Sequence, residues 1–399
     1  MVERRLPKPQ VTSSNLAFRS GELSCSPFLF MQNTRLLILA GAIATALLSA
    51  CKKEVAEIPE GMSLEEKVGM LFFVRPESLM PELEWEKAAD LEPYAIQELC
   101  PSMEETAERC FPGGIILYAH NIGYPQQLKR FVRDLRALPG NPIICIDEEG
   151  GRVARIANNP EFHLRNTVST ADIKSDISAY RTGKRIGKYL SSYGISFDFA
   201  PVADVNTNPE NIIIGKRAFS DSPRVAAGRV KAFVKGMQRS GVAACIKHFP
   251  GHGDTYADTH LGYAVSHKSW EEMLGCEIIP FKAGIRAGVK TVMVAHISAP
   301  KVTSNEDPCT LSHLMVSEKL RGELGFKGVV VTDAMEMGAI VQNYPADEAV
   351  LRAIEAGCDI ILGVKDFPAA CQAVLDAVKS GRLSESRIDE SVRRILTLR

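Results

Sequence analysis

Eight short apolar runs punctuate residues 60–399 and limit what such a chain can become. They fall at residues 70–74 (MLFFV), 114–118 (GIILY), 143–147 (IICID), 195–205 (ISFDFAPVADV), 242–248 (VAACIKH), 291–297 (TVMVAHI), 328–333 (GVVVTD) and 359–363 (DIILG). Most lack apolar/polar alternation, as expected of parallel strands covered on both faces. Segments of helical period lie between most of them, at residues 126–138, 170–193, 223–239, 270–287, 312–324, 346–356 and 367–380, and residues 384–398 close the chain. Eight buried strands alternating with helices predict an α/β fold, a (β/α)8 barrel of the TIM type, as one domain over residues 62–399. A doubly wound open sheet is the competing architecture, but no GxGxxG follows the first run and no Walker A motif occurs. Residues 75–112 are acidic and proline-punctuated, and are expected to pass over one end of the barrel.

The net charge is −1, with 24% charged and 45% hydrophobic residues, an ordinary globular balance. No basic excess points to nucleic acid, and no acidic run to a solvated tail. The N-terminus is more specific. From Met31 the chain reads MQNTRLLILAGAIATALLSACKK, with Arg35 ahead of an apolar stretch that ends in Leu48-Ser49-Ala50-Cys51. That stretch is short for a bilayer span, so a cleaved signal is expected. Its end resembles the lipobox of bacterial lipoproteins, in which the cysteine is lipidated and becomes the first mature residue. The expectation is an upstream extension plus signal peptide at residues 1–51, a true start at Met31, lipidation at Cys51 and a linker at residues 52–61. Membrane association would come through that anchor only, in the cell envelope, periplasmic or outer-membrane anchored.

None of the ten cysteines forms a CxxC pair, so neither a zinc knuckle nor a thioredoxin-type motif is indicated. Cys145, Cys245 and Cys358 sit in apolar runs as small core residues. Cys100 and Cys110 flank a loop and could pair outside the cytoplasm.

Chemically able side chains are densest at residues 247–260, KHFPGHGDTYADTH. Pro250, Gly251 and Gly253 exclude one regular helix, so the segment must be a loop leaving a strand, where polar groups converge on a ligand. The bland alternative is a histidine-rich solvated turn. Catalytic groups of a barrel collect where its strands finish, and the runs here end in Asp147, Asp204, Lys247 with His248, His296 and Asp333. Singly, Asp204 or Asp333 could cap a turn or a helix. Together, on one face, they read as a site.

The segments IDEEGGRVARI (146–156), FAPVADV (199–205), GKRAFSDSP (215–223), KHFPGHGDTYADTH (247–260) and VVTDAMEMGAI (330–340) resemble glycoside hydrolase family 3. Within it they are most similar to the β-N-acetylhexosaminidase branch, over residues 60–399. The resemblance implies double displacement with retention, Asp333 being the nucleophile that forms a glycosyl-enzyme ester. It assigns the acid/base role to His260, oriented by Asp258. Imidazole titrates near neutrality, and a carboxylate partner fixes its tautomer, as in a serine protease triad. Sugar binding would fall to Asp147, Arg155, Arg217, Lys247 and His248, with Asp147 closing the non-reducing end and making the enzyme exo-acting. Surface solvation is the alternative for Arg155 and Arg217. His252 and Asp254 read as loop-structuring. Glu148 departs from the branch, which more often has an amide there.

The family's β-glucosidases share the Lys-His pair and the strand-seven aspartate, and carry a second α/β-sandwich domain that is not expected here. The resemblance therefore implies a single-domain exo-β-N-acetylglucosaminidase, monomeric and without cofactor or metal. Its substrate would be an oligosaccharide containing N-acetylglucosamine, from muropeptides or chitin. A β-glucosidase, β-xylosidase or N-acetylglucosaminide phosphorylase is the alternative within the family. From another class, His248, His252, His260 and His296 could serve a zinc-dependent barrel hydrolase, although HExxH is absent and Pro250-Gly251 keeps His248 and His252 off one helix face. A surface lipoprotein that only binds sugar is the last competitor.

Overall fold

The computed structural model of the chain describes residues 56–80, 96–164, 168–257 and 264–399. Met31, Cys51, Asp258 and His260 lie outside the described residues, as do residues 52–55 of the expected linker.

The apolar runs become eight parallel strands: β1 (Phe72–Val74), β2 (Gly114–Leu117), β3 (Ile143–Ile146), β4 (Phe197–Asp198), β5 (Ala243–Phe249), β6 (Thr291–Val294), β7 (Val329–Thr332) and β8 (Ile361–Leu362). Their order is β7-β6-β5-β4-β3-β2-β1-β8. A parallel bridge between Val331 and Ile360, with Ile360 N–H donating to Val330 O at 3.0 Å, brings β7 to β8 and closes the ring. This is the expected (β/α)8 barrel. Every strand residue is buried, since aromatic rings fill the inside and helices cover the outside. Phe73 of β1 meets Phe197 of β4 edge to face at 6.0 Å, although the two strands are not neighbours, so this contact crosses the barrel interior. Outside, the helices Asp176–Ser192 and Pro223–Gln238 approach so closely that a Cβ on Gly236 would lie 2.1 Å from Tyr180 O. Only glycine fits there. Among the described residues, no helix is long and apolar enough to cross a membrane.

Four expectations need correction. The fourth run pairs regularly only at Phe197–Asp198, because Pro201 has no N–H to donate; the chain rejoins β5 through the Val202–Lys247 bridge. The helix expected over residues 270–287 breaks into Trp270–Gly275 and Ile278–Arg286. Gly275 is a weak helix former, and the buried Glu277 turns inward to pair with Lys268. Residues 75–112 are not simply an excursion, since they include the crossover helix Pro101–Cys110 between β1 and β2. That helix also separates the two cysteines expected to pair. Cys100 caps it and Cys110 ends it, so at 1.5 Å per residue they stand about 15 Å apart, well beyond disulfide reach. Cys110 faces Cys371 instead, and both thiols are free.

At the N-terminal end of β8 the barrel is locked by ions. Asp359 is fully buried and accepts from Arg321 Nη2 at 2.5 Å, Arg394 Nη1 at 2.9 Å, Ser391 Oγ at 2.9 Å and Val330 N at 2.9 Å, with Arg387 Nη1 3.8 Å away. Burial alone would raise its carboxyl, but the three arginines outweigh this and hold it below the ordinary aspartate value.

Candidate active site

The site is built on the segment that leaves β3. An extended chain points alternate side chains to opposite faces, so Asp147 and Glu149 face β5 while the intervening Glu148 points away. Near the end of β5, Lys247 reaches both: its Nζ lies 2.7 Å from Asp147 Oδ1 and 2.7 Å from Glu149 Oε1. Glu149 continues the chain of contacts. Arg217, in the turn Gly215–Arg217, grips it bidentately, Nε to Oε2 at 2.9 Å and Nη2 to Oε1 at 2.8 Å. Arg217 Nη2 also donates to His248 Nε2 at 3.2 Å. Arginine can only donate, so His248 Nε2 accepts and Nδ1 carries the proton, which it gives to Asp204 Oδ2 at 2.7 Å. At the other end, Arg155 Nη2 stands 3.7 Å from Asp147 Oδ2, with its guanidinium over the Tyr118 ring at 5.8 Å.

The result is one line of contacts, Arg155–Asp147–Lys247–Glu149–Arg217–His248–Asp204, in which cations alternate with carboxylates as far as Arg217 and the neutral His248 ring links Arg217 to Asp204. Alternation is what permits burial. Lys247, His248, Glu149 and Asp204 are all buried, and an unpaired charge there would cost several kcal/mol, on the order of ~3–5 when one partner is lost. Burial alone would raise the Glu149 carboxyl, but Lys247 and Arg217 together pull it down to about 2. Burial would likewise lower Lys247 and Arg217, yet their carboxylate partners raise both above their ordinary values. Arg155 and Asp147 are only half-buried, so the line opens to solvent at that end. Arg155 Nε has no hydrogen-bond partner among the described residues.

Asp333 follows β7, where its N–H donates to Val294 O at 2.9 Å and its Oδ1 accepts from Ala334 N at 2.9 Å. Burial opposes ionisation, but His248 and His296 in their protonated forms, the Ala334 N–H and Lys247 outweigh it and hold the carboxyl below its ordinary value. His296, at the end of β6, supports the same turn. Its Nε2 bonds Ala334 O at 3.1 Å and its Nδ1 bonds Thr310 Oγ1 at 3.0 Å. A carbonyl can only accept, so the Nε2 of His296 carries the proton. Burial lowers its pKa, which keeps the ring neutral near pH 7.

The histidine-rich loop is pinned at its stem. Gly253 presses on Val205, where a Cβ would lie 1.9 Å from the carbonyl oxygen, and Gly251 (φ +134°) lies on the Glu277 side chain. His252 N–H donates to Asp204 Oδ1 at 2.7 Å, and its Nδ1 shares a 2.6 Å bond with Thr255 Oγ1. Asp254 pairs with Lys268 at 3.3 Å, and Lys268 with Glu277. His252 and Asp254 therefore structure the loop. Tyr256–Ala257 pairs antiparallel with Ala264–Val265, so Asp258 and His260 belong to the connection between those strands, outside the described residues.

The structure thus brings Asp147, Arg155, Arg217, Lys247 and His248 together, with Asp333 at a nearby strand tip. It also adds one carboxylate, Glu149, and gives the strand-end Asp204 its partners. Glu149 links Lys247 to Arg217, and Asp204 orients His248 while tying down His252. The parity of the DEEGG segment could have revealed Glu149, since it shares a face with Asp147. Nothing in the sequence tells that Asp204 meets His248, which is forty-four positions away.

A closed parallel barrel whose strand tips gather carboxylates, cations and imidazoles defines the class of barrel enzymes with a polar cradle at the strand ends. Its family follows from comparison with known proteins. The model for "Glycosyl hydrolase family 3 N terminal domain" matches residues 64–398, and the chain belongs to glycoside hydrolase family 3. It is 33% identical over 334 residues to beta-hexosaminidase A of Pseudoalteromonas piscicida, covering 76% of this chain and 56% of that protein. It is 34% identical over 307 residues to the beta-hexosaminidase of Hydrogenovibrio crunogenus, covering 75% of this chain and 84% of that one. The solved family 3 β-N-acetylglucosaminidase from Paenibacillus sp. str. FPU-7 superposes with a TM-score of 0.76 at 35% identity, over 85% of this chain and 62% of its own. The chain therefore spans little more than half of the first relative and most of the second.

Proposed function

We propose that the chain is a retaining exo-β-N-acetylhexosaminidase that releases terminal β-linked N-acetylglucosamine from muropeptides or chitin oligosaccharides. The observation that carries this is the line of carboxylates and cations from Arg155 to Arg217, continued through His248 to Asp204, beside Asp333. A terminal sugar presents neighbouring hydroxyls, each both donor and acceptor, and a row of alternating carboxylates and cations offers partners for both roles. Arg155 Nε is buried and has no hydrogen-bond partner among the described residues. Asp333, ionised at neutral pH, attacks the anomeric carbon; the glycosidic C–O bond breaks as the ester C–O bond forms. His260, oriented by Asp258, protonates the departing oxygen and later takes a proton from water. The names of the relatives support the acetamido sugar.

A panel of 4-nitrophenyl glycosides tests the substrate class, and β-N-acetylglucosaminide is expected to exceed β-glucoside and β-xyloside in kcat/KM. In His260→Ala, turnover of the natural disaccharide should fall roughly 10²–10⁴-fold. The 4-nitrophenyl glycoside needs little protonation and should fall far less. Equal losses on both substrates would remove the acid role from His260, and sugar 1-phosphate formed in phosphate buffer would make the enzyme a phosphorylase.

The same reading places the chain in the bacterial envelope as a monomer tethered through a lipidated Cys51. Mass spectrometry of the mature N-terminus is expected to show a diacylglyceryl mass on Cys51; an unmodified peptide running from Ser49 through Lys53 would refute the anchor.

A further inference from the structure

Glu148 has no part in the line of charges, yet its surroundings are the most fully specified of any carboxylate near the site. It is fully buried. Its Oε2 accepts from the backbone N–H of Arg155 at 2.6 Å and of Ile156 at 3.0 Å. Its Oε1 accepts from Ala157 N at 2.9 Å and from the Tyr189 hydroxyl at 2.7 Å. Three consecutive peptide N–H groups and a phenol thus converge on one side chain. Its own N–H donates to Asp198 Oδ1 at 2.9 Å, which holds the residue from the other side.

The geometry of the chain gives this arrangement a purpose. Glu148–Gly150 and Val153–Ala154 form a short antiparallel hairpin, and Arg155 is the first residue beyond it. Three N–H groups bound to one carboxylate fix the backbone turn at residues 155–157. The Arg155 side chain then leaves from a set Cα toward Asp147 and the face of Tyr118. Without that clamp, two loop residues after a two-residue strand would leave the guanidinium free to swing.

We propose that Glu148 is a positioning residue that acts through Arg155: its carboxylate aims the guanidinium at the terminal sugar and so sets substrate affinity without touching substrate. This rests on the proposed sugar-binding role of Arg155. In this chain all four neighbours donate, so a carboxylate satisfies every one of them, whereas the amide more common in the branch can satisfy only some. An amide in its place turns an NH2 toward the Ala157 N–H or toward those of Arg155 and Ile156, so at least one bond becomes a donor–donor contact.

The test is a double-mutant square of wild type, Glu148→Gln, Arg155→Ala and the double variant, with KM and kcat measured on the best glycoside of the panel. Glu148→Gln is expected to raise KM roughly tenfold, about the cost of one hydrogen bond to a charged group, and to leave kcat within about twofold. In the Arg155→Ala background the same change should add nothing to KM. An equal KM increase in both backgrounds would show a structural role alone and overturn the proposal, as would a fall in kcat at constant KM. If Glu148→Gln does not fold, Tyr189→Phe takes its place in the square. It removes one of the four donors, and a two- to threefold rise in KM is expected that disappears without Arg155; a rise that persists overturns the proposal. Should Arg155→Ala itself leave KM unchanged, the sugar-binding reading of Arg155 falls and this inference with it. If Arg155→Ala raises KM and Glu148→Gln does not, only the positioning role falls.

Discussion

Asp333→Ala should cut kcat on 4-nitrophenyl β-N-acetylglucosaminide by ~10⁴-fold or more, as when a covalent nucleophile is removed, while the melting temperature stays within a few degrees. The two parts of this expectation have separate causes. Structurally, the carboxylate receives a hydrogen bond from the adjacent Ala334 N–H, worth about 1 kcal/mol. The turn itself is held by other bonds, Asp333 N–H to Val294 O and His296 to Ala334 O, which the substitution leaves intact. Chemically, the large loss follows from the role proposed for Asp333 as the group that forms the ester. The wild-type carboxyl is held below its ordinary value of 3.8, so the ionised form persists through neutral and mildly acidic pH and is lost only as pH falls below that value. Azide supplies the sharper test. In the space vacated by the side chain it should attack the anomeric carbon from the same face as Asp333, expel 4-nitrophenolate and leave a glycosyl azide of inverted configuration. Residual activity within tenfold of wild type would remove Asp333 from the nucleophile's role, and a rescued product of retained configuration would do the same.

The largest effect on stability is expected at the opposite end of the barrel. Asp359→Ala leaves Arg321, Arg387 and Arg394 facing one another around an empty, buried position. Breaking a buried pair of this kind costs about 3–5 kcal/mol, which for a domain of this size lowers the melting temperature by roughly 10 °C. The control is Arg382, which grips Glu348 and Glu355 with geometry just as good but at side chains more than a third exposed. Arg382→Ala should cost less than about 1 kcal/mol. Thermal unfolding of the two variants decides between burial and geometry as the source of strength. Equal shifts would refute the weight given to burial. The sign with pH is fixed as well: a depressed carboxyl stabilises above its unfolded value, and that contribution fades as the solution is acidified.

The barrel was legible because parallel strands buried on both faces cannot alternate, and runs such as IICI and GVVV have no polar member. The cradle was legible in part for the same reason, since a strand end is where the first polar residue of such a run appears. Asp147, Lys247, His248 and Asp333 were found that way. What escaped depended on a partner distant in the chain. The weight carried by Glu149 comes from Arg217, sixty-eight positions on, and the break at Cys276–Glu277 comes from a carboxylate drawn inward by Lys268. The pairing suggested for Cys100 and Cys110 failed on a local fact, that they lie at opposite ends of one ten-residue helix. Helical period was difficult to read in a stretch so rich in glutamate.

The salt-bridged triad of Lys247, Glu149 and Arg217 has a consequence for how this enzyme should be studied. With Glu149 titrating near 2 and both cations raised above their ordinary values, none of the three changes its protonation state within the range in which assays are run. The charge of the triad is thus constant while the buffer is varied. Whatever bell shape appears in the rate profile then reports the groups that exchange protons during turnover, with no background from these three to subtract.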